Sequence, residues 1–323
     1  MRAIAQYAYG PVEVLRPAEI DKPDIAANEV LVKVRAAGLD RGTWHLMTGK
    51  PYLMRIMGFG FRRPKNPVPG IDVAGTVVAV GSEVTRFSAG DEVFGISRGS
   101  LAEYAAARED KLAHKPASLA FEQAAVVPVS ALTALQGLRD AGRIEAGQKV
   151  LVIGASGGVG TYAVQLAKAF GAEVTGVSST AKVDLVRSIG ADHVVDYTRE
   201  DFADGAQRYD LILDIGGNSR LARLRRALTP KGTLVIVGGE QGGTLTGGFD
   251  RQIRALALSL FVGQRLTMVV AKEHHADLEV LSQFIEAGQV APIVDRAYPL
   301  AAAPDAMRHL EAGHARGKIA ITI

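Results

Sequence analysis

The sequence predicts an α/β protein: a doubly wound parallel sheet preceded by a β-rich domain. Three observations carry this. The run Lys149–Ile153, rich in β-branched residues, reads as a buried parallel strand; glycines follow it at 154, 157 and 160, and then a helical pattern. From about residue 126 to 265, strand-like runs alternate with helix-like ones, the signature of a parallel sheet covered on both faces. Residues 1 to about 125 instead hold short period-two runs cut by glycine and proline, which is β-rich patterning.

In the first region Val30, Val32 and Val34 alternate onto one face of a strand. Gly75–Gly81 and Asp91–Gly95 are further strand signals, the second after a turn at Ala89–Gly90. The interval from Gly49 to Pro69 is long and proline-punctuated. Its Tyr52, Met54, Phe59 and Phe61 favour an ordered wall over a loose tail.

After the central strand, Val159, Ala163, Leu166, Ala167 and Phe170 share one helix face, and Gly171 stands where a helix C-terminus takes glycine. Strand, glycine turn and helix together open a dinucleotide-binding βαβ unit. The spacing is Gly154-x-x-Gly157-x-x-Gly160 rather than the strict G-x-G-x-x-G, and the flanking strand and helix supply the context that supports it. In such a unit the glycines make the tight turn, admit a pyrophosphate to the backbone N–H groups and let the helix pack on the strand; the helix N-terminus faces the phosphates. Gly154, Ala155, Ser156, Gly157, Gly158, Val159 and Gly160 are therefore candidate cofactor residues.

Further strands are expected at Glu173–Val177, His193–Asp196, Leu211–Asp214 and Thr233–Val237, with another at Leu266–Val270. Helices are expected at 181–188, 219–228 (ended by Pro230 and Gly232), 251–261 and 277–287. The alternating tail Lys318–Ile323 is expected to rejoin the β-rich domain. The domain division that follows is 1–125, completed by 288–323, and 126–287.

The chain has 323 residues, 48% hydrophobic and 22% charged, enough for a substantial core. A formal net charge of +3 is too small an excess to suggest nucleic-acid binding. There is no cysteine, which excludes disulfides, cysteine-ligated zinc and thiol nucleophiles. The N-terminal residues do not read as a signal peptide and no apolar run is long enough to span a bilayer, so a cytoplasmic protein is expected.

These features together resemble the medium-chain dehydrogenase/reductase superfamily. The carriers are Val30–Gly38, Pro69–Gly75, Gly90–Val93, Gly154–Gly160 and Ser188–Asp192. The nearest branch by resemblance is the zinc-free quinone oxidoreductases and related enone reductases. The resemblance implies a Rossmann cofactor domain with a GroES-like catalytic domain, and a homodimer joined near the edge strand Leu266–Val270. The zinc enzymes' cysteine falls near Asp40 and their histidine near Ile71; Asp72 follows where they have glutamate. Without that donor set, a quinone or the β-carbon of an α,β-unsaturated carbonyl is the easier hydride acceptor.

By the same resemblance, Thr133 lies near the nicotinamide, and Asp40, Trp44 and Tyr52 line the acceptor cleft. Gly216, Val237, Gly238 and Gly239 approach the cofactor, Phe261 and Val262 cover its ring, Tyr197 meets the adenosine side, and Lys318, a basic residue before the last strand, is a cofactor residue unless it is only a solvated strand-end charge. Cofactor choice is read from the residues themselves. NAD-binding units carry an acid about 20 residues past the glycines. Here the second strand runs into Ser178, Ser179, Thr180, Ala181 and Lys182, with no carboxylate. Hydroxyls and an ammonium suit the 2′-phosphate of NADP. Two other functions stay open at this point: a zinc-independent alcohol or aldehyde oxidoreductase, and a weakly catalytic NADPH-binding sensor or structural protein.

Overall fold

The computed structural model describes residues 1–323 apart from Asn218, Glu240, Gln241 and Gly242. It divides into two compact units: Met1–Leu132 with Glu273–Ala287 and Pro292–Ile323, and Thr133–Lys272 with Gly288–Ala291.

The first unit opens with β1 (Arg2–Ala5) and β2 (Arg16–Glu19), an antiparallel pair. Then come β3 (Glu29–Leu39), β4 (Asp72–Val80), β5 (Glu92–Ile96), β6 (Tyr104–Arg108) and β7 (Leu112–His114). Val30, Val32 and Val34 of β3 are all buried, as their alternation requires, and pack with Val73, Val77, Val93 and Leu112. Between β3 and β4 the 49–69 interval is not wholly irregular. A one-turn helix, Tyr52–Met54, runs into a wide turn at Arg55–Phe59, and Tyr9 donates its phenol to the carbonyls of Phe59 and Gly60.

The second unit is a six-stranded parallel sheet. Its strands are β8 (Lys149–Ile153), β9 (Glu173–Ser178), β10 (His193–Asp196), β11 (Tyr209–Asp214), β12 (Leu228–Ile236) and β13 (Arg265–Met268). Their spatial order is β10-β9-β8-β11-β12-β13, so the order reverses between β8 and β11, where dinucleotides bind outside the carboxyl ends of the strands. The expected helix at 219–228 spans Leu221–Ala227, and β12 starts at once at Leu228, running through Pro230 and Gly232. That is possible because the β11–β12 ladder breaks register between Tyr209 and Leu211, so Pro230 meets no ladder bond.

The chain then returns to the first unit. The helix His275–Glu286, expected with the cofactor domain, groups with the first unit instead: Leu278, Leu281 and Ile285 are buried, Glu279 of the helix pairs with Arg86, and Glu273 just before it pairs with Lys111. Strands β14 (Val294–Pro299) and β15 (Lys318–Thr322) complete that unit's sheet, with β15 antiparallel to β3 through Ile319 opposite Leu39.

Candidate functional site

In the second unit the glycine turn is built by backbone geometry. Gly154 has φ +88°, a left-handed conformation that glycine adopts at no steric cost. Its N–H and that of Ala155 both donate to the carbonyl of Val177 on β9, and Gly157 N–H donates to Gly154 O, closing the turn. Gly157 caps the helix Gly158–Ala169, whose first N–H groups have no intrahelical acceptor and point out of the turn. A methyl on Gly160 would overlap Gly154 O, whereas one on Gly157 would come only within 3.5 Å of it. Gly160 is thus demanded by packing, and Gly157 leaves its space to whatever approaches from outside. This cradle fits a dinucleotide pyrophosphate.

The other strand ends line the same edge of the sheet. Ser178 is buried at the end of β9, Ser179 and Lys182 are half-buried beyond it, and Tyr197, following β10, donates its N–H to Ser178 O with its ring exposed. Gly216 follows β11, where a methyl would make only an ordinary contact with Ile153 at 3.9 Å; Val237 and Gly238 follow β12 and donate to Asp214 O. Gly239 packs on Gly247.

Three features of this edge escaped the sequence reading. Asp196, beside Ser178 in the β9–β10 register, is a carboxylate near the adenosine end. Hydrogen bonds from Thr180 and Thr198 hold its carboxyl below the usual range, and Arg199 stands 3.7 Å away, so its charge is taken up locally. Arg251 pairs with Asp214, which is fully buried at the end of β11. Among the described residues, Arg251 Nε and Nη1 are buried without a hydrogen-bond partner. Val269 and Val270 follow β13 as the other candidates follow their strands; the signal was that common position.

Phe261 and Val262 need correction. They lie on the connection from the helix Phe249–Ser259 into β13, whose first residue pairs with Thr233 of β12. That is the amino-terminal edge of the sheet, opposite the glycine turn. Phe261 is 84% exposed there, and Val262 packs against the core, so neither covers a nicotinamide ring at the carboxyl edge.

In the first unit Asp40 caps the helix Arg41–Thr48, its Oδ1 accepting from Thr43 N at 2.7 Å and from Thr43 Oγ1 at 3.1 Å. Trp44 is half-buried on that helix; its indole N–H donates to Glu311 at 2.7 Å and so offers an apolar face rather than a free donor. Tyr52 is exposed, with the Arg55 guanidinium 4.7 Å from its ring centre. Thr133 lies half-buried on the helix Pro128–Gln136.

Lys318 also needs correction. Its ammonium is not presented to a cofactor: the residue is 2% exposed, and Nζ donates to Asp72 Oδ2 at 3.2 Å, with Asp40 Oδ2 3.9 Å away. Burial pushes the Asp72 carboxyl up to about 7; Lys318 opposes that shift and Asp40 adds to it.

The fold and the cradle define a dinucleotide-binding oxidoreductase of two-unit architecture. Family models match in both halves: "Alcohol dehydrogenase GroES-like domain" at residues 26–117 and "Zinc-binding dehydrogenase" at residues 189–321. The chain is 35% identical to a 2-methylene-furan-3-one reductase of Solanum lycopersicum, and 36% to an NADPH-dependent alkenal/one oxidoreductase, chloroplastic, of Arabidopsis thaliana. Each match covers 99% of this chain and 79% of the relative. Among solved structures, a quinone oxidoreductase from Coxiella burnetii superposes with a TM-score of 0.88 at 28% identity, covering 100% of this chain and 99% of that one. A mycobacterial protein complexed with NADPH matches at a TM-score of 0.85 and 27% identity, over 100% of both chains. The chain belongs to the medium-chain dehydrogenase/reductase superfamily, in its quinone and enone oxidoreductase branch.

The zinc in the second description does not suit this chain's residues. There is no cysteine, the position beside Asp72 is Ile71, and an ammonium already stands against the two carboxylates. Among the described residues no group of three or more His, Cys, Asp or Glu could hold a metal, and no helix is long and apolar enough to cross a membrane.

Proposed function

We propose that this chain is an NADPH-dependent reductase of quinones or α,β-unsaturated carbonyls. The observation that carries the reading is the glycine cradle with a hydroxyl- and ammonium-bearing strand end beside it. The names of the tomato and Arabidopsis relatives support an enone acceptor, and the Coxiella structure a quinone. NADPH, when bound, supplies the hydride. The helix N-terminus at Gly158–Gly160 holds the pyrophosphate, and Ser178, Ser179, Lys182 and Tyr197 receive the adenosine end with its 2′-phosphate. The Thr133 hydroxyl orients the carboxamide, while Asp40, Trp44 and Tyr52 belong to the acceptor side. The chain's part is orientation and donation to the oxygen on which charge develops.

A panel of quinones, alkenals and enones, read by cofactor oxidation, tests this. Turnover with NADPH well above NADH is expected. Lys182→Ala should weaken NADPH binding by about 1.5–3 kcal/mol, the range for charged hydrogen bonds, with NADH affinity nearly unchanged. Thr133→Ala should lower kcat on the same acceptors. A wild-type preference for NADH, or equal losses for both cofactors, would overturn the cofactor reading; no turnover across the panel would overturn the reductase.

We further propose a homodimer through the edge of the second unit's sheet. Among the described residues β13 pairs only with β12, so its other side is open. Ile253, Leu256 and Leu260 follow helical spacing at i, i+3 and i+7, and are exposed together with Phe261 and Val270. Light scattering should give twice the 34.1 kDa chain mass, and Leu256→Glu with Leu260→Glu should halve it. A monomeric wild type at micromolar concentration would count against the seam.

A further inference from the structure

We propose that Lys318 is a positioning residue, an internal cation that pins the starts of two helices to the last strand.

Four segments meet at its ammonium. Lys318 opens β15 and is 2% exposed. Asp72 opens β4 and is fully buried. Its Oδ2 accepts from Lys318, while its Oδ1 accepts from the N–H of Val129 at 3.0 Å, so Asp72 ties down the first turn of the helix Pro128–Gln136 from outside. Asp40, 8% exposed, caps the helix that carries Trp44 with Oδ1; its Oδ2 is buried, has no hydrogen-bond partner among the described residues, and faces Nζ at 3.9 Å.

The backbone makes room for this arrangement. Gly38 of β3 lies opposite Asp72 in the ladder, and a methyl there would overlap the carbonyl of Ala125 and press within 3.0 Å of the Asp72 carboxylate. The group is therefore built, not incidental.

Its charge balance explains why the cation is needed. Two buried carboxylates share one ammonium, and each uses its other oxygen to hold a helix start. Taking the cation away leaves two like charges in a dry site, which relaxes by protonation or by moving one carboxylate and the helix it caps. The ionisable groups facing Asp72 are Lys318 of β15 and Asp40 at the start of its helix; the third packed segment contributes only the Val129 N–H. A carboxyl raised to about 7 binds its proton more tightly folded than unfolded. Stability from that proton is full below the ordinary carboxylate range and is lost as pH rises through about 7. Without Lys318 the carboxyl rises further, so the damage grows with pH.

Trp44 is the chain's single tryptophan, so its emission reports the Asp40-capped helix alone. Lys318→Met should shift that emission in the folded protein. It should also lower the thermal midpoint more at pH 8.5 than at pH 6, and cut kcat tenfold or more with KM for NADPH within twofold. Lys318→Met with Asp72→Asn removes one charge of each sign. It should recover the midpoint and flatten its pH dependence, while Trp44 emission stays shifted because Asp40 still lacks its cation; this variant decides the matter if the single one does not fold. A merely structural lysine predicts equal losses at both pH values with unchanged emission, and that result would overturn the proposal. The kcat arm rests on the reductase reading; emission and the pH-dependent midpoint do not, so failure of one is distinguishable from failure of the other.

Discussion

Gly160→Ala is expected to cost about 3 kcal/mol or more of stability and to abolish NADPH binding, whereas Gly157→Ala should lose binding alone. The two glycines lie three residues apart in one turn, so local propensity does not separate them. Their surroundings do. A methyl on Gly160 overlaps the carbonyl oxygen of Gly154 and comes within 2.8 Å of the Ala155 backbone carbons. Neither neighbour is a flexible side-chain end. Relief requires the helix to move off the strand, and with it the N–H groups of the cradle. Overpacking of a close backbone contact typically costs about 1–3 kcal/mol, and backbone-on-backbone overlap belongs at or above the top of that range. Gly157 has φ −87°, which any residue adopts, and a methyl there meets Gly154 O at an ordinary 3.5 Å. That methyl fits the protein but occupies the approach of a pyrophosphate. Urea unfolding and calorimetric titration with NADPH, run on both variants, separate the effects. Equal stability losses would show that the turn does not divide the work this way.

What the sequence made legible here was local. The run Lys149–Ile153, the glycines and the helix behind them are contiguous, and each declares itself by period or by backbone demand. His193–Asp196 emerges with the bounds expected of it, because a short β-branched run between turn signals leaves little choice. The charged group of the first unit was not legible, because Lys318 and Asp72 are 246 residues apart and only the return of β15 beside β3 brings them together. Lys318 therefore read as a solvated or cofactor-facing cation. Asp196 was missed for a related reason: the second strand itself ends without an acid, but its lateral neighbour supplies one through the β9–β10 register. Phe261 and Val262 were misplaced by the sense of the chain. A residue leaving a helix for a parallel strand enters at the amino edge of the sheet, and the residues that reach the cofactor edge come after the strand. Arg251 entered the sequence reading only as the first residue of an expected helix; nothing near it in sequence announces the buried acid at the end of β11.

That arginine gives the second large effect. Arg251→Met is expected to destabilise the second unit by about 3–5 kcal/mol, the usual cost of stranding a buried charge when its partner is removed. Asp214 is fully buried at the end of β11, and among the described residues it also accepts from the Gly217 N–H at 3.3 Å. Burial already holds its carboxyl above the ordinary range, with Arg251 opposing that shift. Removing the guanidinium lets the carboxyl rise further, so the folded variant takes up a proton that the unfolded chain releases. Stability is then present below the unfolded carboxylate range and is lost as pH rises through the raised folded value. The deficit against wild type should accordingly shrink on acidification and widen as the pH rises. Arg251→Met with Asp214→Asn should recover most of the loss, since a neutral amide needs no counter-ion and can still accept from Gly217 N–H. Chemical denaturation at several pH values measures all three proteins. A single variant as stable as wild type at pH 8, or a double variant no better than the single, would show that Asp214 reaches water by another route. Because Arg251 Nε and Nη1 have no hydrogen-bond partner among the described residues and stand at the cofactor edge, NADPH affinity in the recovered double variant carries separate information. A loss there, in a protein whose stability has returned, identifies those two donors as part of the cofactor site rather than only the counter-charge of Asp214.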